Sequence, residues 1–208
     1  MLLTLIPPAV CAQQTASPDA HAVIRQILAR NPLLNSFQTR VHVQVRMLNF
    51  PFLSLGLEGT SYFKRPDGYE VVFDRVPRYA SGLKRVFADI ADPASWERDW
   101  NVKSAGVQII DTRSLLELQL TKKIPSATLR EADAFVDPGS FAIARMEWHY
   151  WSGGSIVMTQ TYKDEGGYSV IASQHADIHI PHVRAVADAT YDTYQTNVAI
   201  DDSLFAQR

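Results

Sequence analysis

The segment richest in reactive side chains is Ser173-Gln-His-Ala-Asp-Ile-His-Ile-Pro-His182. Read as a strand, it places His175, Asp177 and His179 on one face and Ala176, Ile178 and Ile180 on the other. Two imidazoles and a carboxylate can ligate zinc and leave a position open, so a metal-dependent enzyme is one reading. The wet face of an ordinary strand gives the same alternation, and no second layer of supporting groups is legible. A second group lies in Met146-Glu-Trp-His-Tyr-Trp151, where Glu147 and His149 share a face and could form a carboxylate–imidazole pair. A nucleophile is missing there. Ser152 and Ser155 sit in a glycine turn without the Gly-x-Ser-x-Gly setting, and cross-strand packing accounts for the aromatics. There is no phosphate-binding loop, dinucleotide fingerprint or His-Glu-x-x-His. The expectation is no catalytic residue, no metal, no cofactor and no enzymatic activity.

Composition narrows the classes further. The 208 residues suit one domain. Hydrophobic residues at 46% and charged residues at 20% are a globular balance. Twenty basic against 22 acidic residues lack the basic excess of a nucleic-acid binder. No apolar run reaches the roughly 18 residues of a spanning helix. One cysteine, Cys11, permits neither an intrachain disulfide nor a cysteine zinc site.

Residues 1–12, MLLTLIPPAVCA, read as a signal peptide. Leu2, Leu3, Leu5 and Ile6 form a short apolar core, and Val10-Cys11-Ala12 supplies small residues for cleavage after Ala12. The sequence departs from the usual pattern in having no Lys or Arg before Arg25. Lipidation of Cys11 is an alternative, although Pro8-Ala9-Val10 is a poor lipobox. The expected product is one domain, residues 13–208, in the periplasm.

The elements that position these side chains follow from periodicity. Ser17-Pro18 looks like a helix start, and Ala20, Val23, Ile24, Ile27 and Leu28 recur at helical spacing until Asn31-Pro32. From Phe37 the period becomes two: Phe37, Val41, Val43, Val45 and Met47 face one way, and Gln38, Arg40, His42, Gln44 and Arg46 the other. A second strand runs through Leu53, Leu55 and Leu57 to Phe63. The turn Arg65-Pro-Asp-Gly68 leads into a third with Tyr69, Val71 and Phe73. Leu83, Val86, Phe87 and Ile90 then form a helical stripe, and Asp92-Pro93 starts a turn bearing Trp96 and Trp100. Strand patterns return at 107–111, 114–123, 127–136, 141–151, 155–163, 168–180 and 183–193. About ten antiparallel strands with one apolar face must curl or split. The expected fold is α+β: a strongly curved antiparallel sheet forming an incomplete β-barrel, with helices covering the concave side.

Three stretches carry a family resemblance. Gly59-Thr-Ser-Tyr-Phe-Lys-Arg-Pro-Asp-Gly68 resembles the "G-x-x-x-x-K-R-P" hairpin of periplasmic lipoprotein carriers of the LolA type. Phe135-Val-Asp-Pro-Gly-Ser-Phe-Ala-Ile-Ala-Arg145 resembles their "V-D-P-x-T-x-x-I-x-R" hairpin, and Asn197-Val-Ala-Ile-Asp-Asp-Ser-Leu-Phe205 their "N-x-x-I-x-D-S-x-F" close. The resemblance, which also extends to the LolB-like lipoprotein-sorting relatives, spans most of residues 17–205. The long aromatic segment 77–100 departs from it. The carriers' lid-contacting arginine is matched only by strand position, at Arg40 or Arg46.

The resemblance implies an open barrel whose apolar cavity receives acyl chains under a helical lid, and a monomer that exchanges acylated lipoprotein or lipid with membrane donor and acceptor proteins. Expected to line the cavity are Val41, Val43, Val45, Met47, Leu55, Leu57, Phe63, Val71, Phe73, Met146 and Trp148. Expected lid residues are Ile24, Ile27, Leu28, Leu83, Val86, Phe87 and Ile90. An envelope-stress sensor on the same fold, working through a protein partner, is the alternative.

Overall fold

A computed structural model describes residues 18–50, 52–66, 68–75 and 93–205. The segment 1–12 with Cys11, the stripe Leu83, Val86, Phe87 and Ile90, and Ser17 lie outside the described residues.

Helix α1 spans Ala20–Leu28. Its cap is Asp19, two residues beyond the expected Ser17-Pro18 start. The Asp19 carboxylate accepts from the His21 and Ala22 backbone N–H groups, which have no intrahelical acceptor. Ala20, Val23, Ile24 and Ile27 form its buried stripe.

Eleven strands follow: β1 Ser36–Met47, β2 Ser54–Lys64, β3 Gly68–Phe73, β4 Trp100–Ile110, β5 Arg113–Lys122, β6 Leu129–Val136, β7 Ile143–Tyr150, β8 Ser155–Glu165, β9 Tyr168–Ile180, β10 Val183–Tyr191 and the short β11 Gln195–Thr196. A 3₁₀ turn at Pro93–Ser95 and the single-turn helix α2, Trp96–Asp99, precede β4. Strand β4 therefore starts seven residues earlier than the sequence pattern indicates, and Trp100 is its first residue. Trp96 and Trp100 are both buried, and Lys122 covers the Trp100 ring at 4.0 Å.

All strands pair antiparallel in the order β3-β2-β1-β10-β9-β8-β7-β6-β5-β4, with β11 on β1. Strands β3 and β4 are the two edges, so the barrel is not closed. Laid flat, ten strands about 4.8 Å apart would span on the order of 43 Å. Yet α1, roughly 13.5 Å long, lies against β4 and also borders a cavity with Phe63 of β2 and Tyr69 of β3. The sheet is therefore curled around the helix, as the periodicity predicts.

The side chains alternate as a one-sided sheet requires. Val41, Val43, Val45, Leu57, Leu118, Leu120, Met146, Trp148, Ile156 and Met158 join the α1 stripe in one buried cluster. Helix α1, too short to be stable alone, is held by that burial, with Ile24 fully enclosed.

Candidate functional site: an apolar cavity over a tyrosine–glutamine floor

The three stretches that carry the resemblance turn out to be structural latches. Lys64 donates to the Ile200 carbonyl (3.0 Å) and to Asp202 (2.5 Å), tying the first hairpin to the carboxy-terminal close. A side chain on Gly68 would meet the Lys64 carbonyl at 2.8 Å and the Phe205 ring at 3.3 Å. Asn197 has a positive φ of 55°; its Oδ1 accepts from the Asn35 N–H and its Nδ2 donates to Tyr168 Oη. In the middle hairpin one Asp137 oxygen accepts from the Gly139 N–H, the Ser140 N–H and the Ser140 hydroxyl. These bonds hold its carboxyl below the usual range.

The histidine groups lie on the outer face. His175 bonds Asp188 at 2.6 Å and lies 3.7 Å from Asp177. No group of three His, Cys, Asp or Glu among the described residues is arranged to hold a metal ion. His149 bonds Asp133, across the ladder, at 3.1 Å, whereas Glu147 is taken by Arg145 at 2.6 Å. Burial pushes the Asp133 carboxyl up, against the opposing pull of His149. Arg40 and Arg46 are outer-face residues as well. Arg40 pairs with Asp74 and Glu58, and Arg46 with Asp188.

The open space lies at one end of the barrel, where α1 ends and the chain continues through Arg30, Asn31 and Leu34. It is a half-open cavity of about 200 Å³. Ile27 and Leu28 roof it, Leu34 and Phe37 form one wall, and Phe63, Ile143, Val170 and Ile171 another. Phe37 stacks on Phe63 at 5.3 Å and meets Tyr194 edge-on at 5.0 Å, both preferred aromatic arrangements.

Beneath this apolar ring runs a buried polar chain. Tyr191 donates to Gln174 Oε1 (2.6 Å) and Gln174 Nε2 to Gln160 Oε1 (3.0 Å). Gln160 Nε2 donates to Tyr162 Oη (2.9 Å), and Gln160 and Tyr162 both donate to the Ile143 carbonyl. Tyr194 donates to the Ile171 carbonyl at 2.8 Å, and Ser61 to Tyr69 at 3.2 Å. Burial raises Tyr69, Tyr162, Tyr191 and Tyr194 above the ordinary phenol value, so all four stay neutral donors.

Arg30 forms a partition. Its guanidinium lies 4.3 Å above the Tyr162 ring and donates to Ser169 Oγ at 2.7 Å. On its far side a polar depression of about 360 Å³ shares Arg30, Gln160, Tyr162 and Ser169 with the cavity and continues to Arg113, Asp137 and Ser140. Apolar and polar compartments thus abut across one side chain that has no carboxylate partner among the described residues.

Of the residues expected to line a cavity or lid, Phe63, Ile27 and Leu28 border this space. Val41, Val43, Val45, Leu57, Met146 and Trp148 belong to the packed core, with Met47, Leu55, Val71 and Phe73 against it, and Ile24 of α1 is fully buried in the same cluster. Periodicity did not reveal the tyrosine–glutamine floor, because polar residues at inward positions look like wet-face residues. Nor did it reveal Arg30, Asn31 and Leu34, which lie in a connection without a period. The weak signal available was the density of tyrosines near the ends of β8 and β10.

No protein-family model matches the chain, and no curated protein matches it. Solved structures do. A DUF1329 family protein from Desulfovibrio piger superposes with a TM-score of 0.68 at 10% identity, over 90% of this chain and 97% of that one. A putative outer membrane lipoprotein-sorting protein domain from Vibrio parahaemolyticus gives 0.67 at 10% identity, over 88% and 94%. A LolA superfamily protein from Nitrosomonas europaea gives 0.62 at 13% identity, over 90% and 97%. The chain has the LolA-like fold: an open antiparallel barrel wrapped on a helix.

Proposed function

We propose that this protein is a periplasmic, non-enzymatic carrier or binder of acylated lipoproteins or lipids, working as a monomer between membrane donor and acceptor. The observation that carries the reading is the half-open cavity of apolar and aromatic side chains set against a polar depression. An amphiphile needs that pairing, since its chain must leave water while its head stays hydrated. The fold it shares with a putative lipoprotein-sorting domain supports the same reading.

The energetics favour a container over a catalyst. Drawing a sixteen-carbon chain from a bilayer costs on the order of 13 kcal/mol, at about 0.8 kcal/mol per methylene. Apolar walls return part of that without chemistry. The resting cavity, about 200 Å³, is smaller than the roughly 300–1,000 Å³ of typical ligand sites, so a whole chain enters only if something moves. Helix α1 is the candidate lid: it is short, roofs the cavity with Ile27 and Leu28, and is held by one stripe.

Titration with a fluorescent fatty acid tests the proposal. Saturable uptake is expected, and Ile171→Trp, which places an indole in the cavity, is expected to abolish it while the barrel still unfolds cooperatively. No uptake by the parent protein, or undiminished uptake by the filled variant, contradicts the reading.

A further inference from the structure

The barrel end opposite the cavity mouth is exposed and apolar in a way that a soluble protein does not need. Six of the large hydrophobic side chains left exposed lie there: Leu48, Phe50, Phe52 and Leu53 on the β1–β2 hairpin, Ile124 between β5 and β6, and Trp151 between β7 and β8. Phe52 is 100% exposed and Ile124 84%.

These tips are stitched into one surface. The Leu48 N–H donates to the Arg184 carbonyl at 2.7 Å, and Asn49 Nδ2 to the His182 carbonyl at 2.9 Å, joining the β1–β2 and β9–β10 hairpins. A side chain on Gly154 would meet Ile180 Cα at 2.7 Å, so the β7–β8 tip sits directly on that pair. Trp151 is anchored in turn to the β5–β6 connection, through its N–H to the Thr128 carbonyl (2.9 Å) and its indole Nε1 to the Ser126 carbonyl (3.2 Å). The ring is thus presented edge-fixed at the surface.

Charge separates the two ends. In the connections, the terminal segments and within one residue of the strand ends, the apolar end carries Arg46, Arg98, Lys122, Lys123, Arg130 and Arg184 against Glu97 and Asp99 of α2 and Asp19, which caps the α1 end tied to Glu97 through His21. Arg130 and Arg46 have carboxylate neighbours in Glu131 and Asp188. Arg98 pairs with Asp99 at 3.0 Å, and Lys122 and Lys123 lie close enough to lower the same carboxyl; Arg184 has no carboxylate partner among the described residues. Counted in the same way among the described residues, the mouth end carries seven acids, from Asp111 to Asp202, against Arg30, Lys64, Arg65 and Arg113.

We propose that this apolar, cationic end is a docking surface for an anionic lipid bilayer, with Phe50, Phe52, Leu53, Ile124 and Trp151 entering the interface and the lysines and arginines lying at headgroup level. The depression of about 320 Å³ between these hairpins is lined by Asn49, Gly153, His179, His182 and Arg184, and none of the exposed apolar side chains borders it, so they project as tips and not as the walls of a peptide groove. An aromatic and aliphatic tip ringed by cations matches what a negatively charged interface recognises. The cavity mouth belongs to the other end, so a docked molecule points its mouth away from that bilayer. Docking is therefore separable from filling the cavity and does not depend on the carrier reading.

The test is flotation of the full chain with vesicles of phosphatidylethanolamine and phosphatidylglycerol, compared with pure phosphatidylcholine, for the parent and for a Phe50→Ser/Phe52→Ser variant. The parent should float with the anionic vesicles, less with the zwitterionic ones, and less as salt rises. The double variant should lose about tenfold or more in partitioning. Both side chains are exposed, so its unfolding midpoint and fatty-acid uptake should match the parent's. Absence of flotation, equal flotation of the variant, or indifference to lipid charge overturns the proposal. So does a dimer that the double substitution disperses, since the tips would then cover each other.

Discussion

Removing the cap of α1 by Asp19→Ala should loosen the helix without unfolding the barrel. The Asp19 carboxylate satisfies two backbone donors, at 3.3 Å from the His21 N–H and 3.2 Å from the Ala22 N–H. Loss of such a cap costs about 1 kcal/mol, which corresponds to about a fivefold rise in the open population at RT ≈ 0.59 kcal/mol. The cost should fall on α1 alone. The helix meets the sheet through one stripe, and its polar tether to α2 is the exposed His21–Glu97 pair at 2.9 Å. Hydrogen exchange reads this residue by residue: the amides of Ile24 and Ile27 should exchange about fivefold faster, while those of β5 and β7 keep their rates. If α1 is the lid, release of a bound fatty acid should accelerate by a similar factor. Uniform acceleration across the sheet would show that α1 opens only with global unfolding. Faster exchange with unchanged release would show that ligand leaves by another route. Either result refutes the lid argument.

Three further outcomes follow from the geometry. Tyr191→Phe removes the 2.6 Å donor to Gln174 and strands a buried amide oxygen, so denaturant unfolding should show a loss of about 1–3 kcal/mol. Gly59→Ala places a methyl 2.6 Å from the Val72 carbonyl and 3.0 Å from Phe73 Cα; because the obstacle is backbone, a loss of roughly 1–3 kcal/mol is expected in the same assay, with β3 the first strand to exchange. His42 titrates above its ordinary value near 6.5, chiefly through its hydrogen bond to Asp192 and secondarily through the charges of Asp192 and Glu58, with partial desolvation opposing. A raised folded-state value means that this pairing stabilises fully below the unfolded pKa and is lost as pH climbs through the folded one. A proton-detected titration of His42 should therefore shift back toward 6.5 in Asp192→Asn; an unmoved midpoint would remove Asp192 as the cause.

How far the sequence carried can be judged from particular residues. The alternation Val41, Val43, Val45 against His42, Gln44, Arg46 specified both faces of β1, because one dry and one wet side is all an antiparallel strand needs. The glycine turn between Ser152 and Ser155 was equally plain, since Gly153 takes a positive φ that few other residues tolerate. Val41, Val43 and Val45 lie in one buried cluster with the α1 stripe, so the side they face is filled by side chains, which alternation alone does not tell from an open cavity. The open space lies at the carboxy-terminal end of the helix, bordered by Ile27 and Leu28. There the β8–β9 ladder shifts register, so that Tyr162 lies opposite Ile171 while Thr161 lies opposite Ser173. A period-two reading carried through that irregularity assigns the faces wrongly. Arg30 was not legible, since its stacking on Tyr162 joins residues far apart in the chain.

The central claim is that a lipid tail occupies the space ringed by Phe37, Phe63, Ile143 and Ile171. Native mass spectrometry of protein released gently from cell envelopes addresses it directly. The account predicts a population heavier than the polypeptide by the mass of one acylated molecule, absent from Ile171→Trp purified alongside. A bare polypeptide mass in every preparation, or the same adduct on the filled variant, would contradict it.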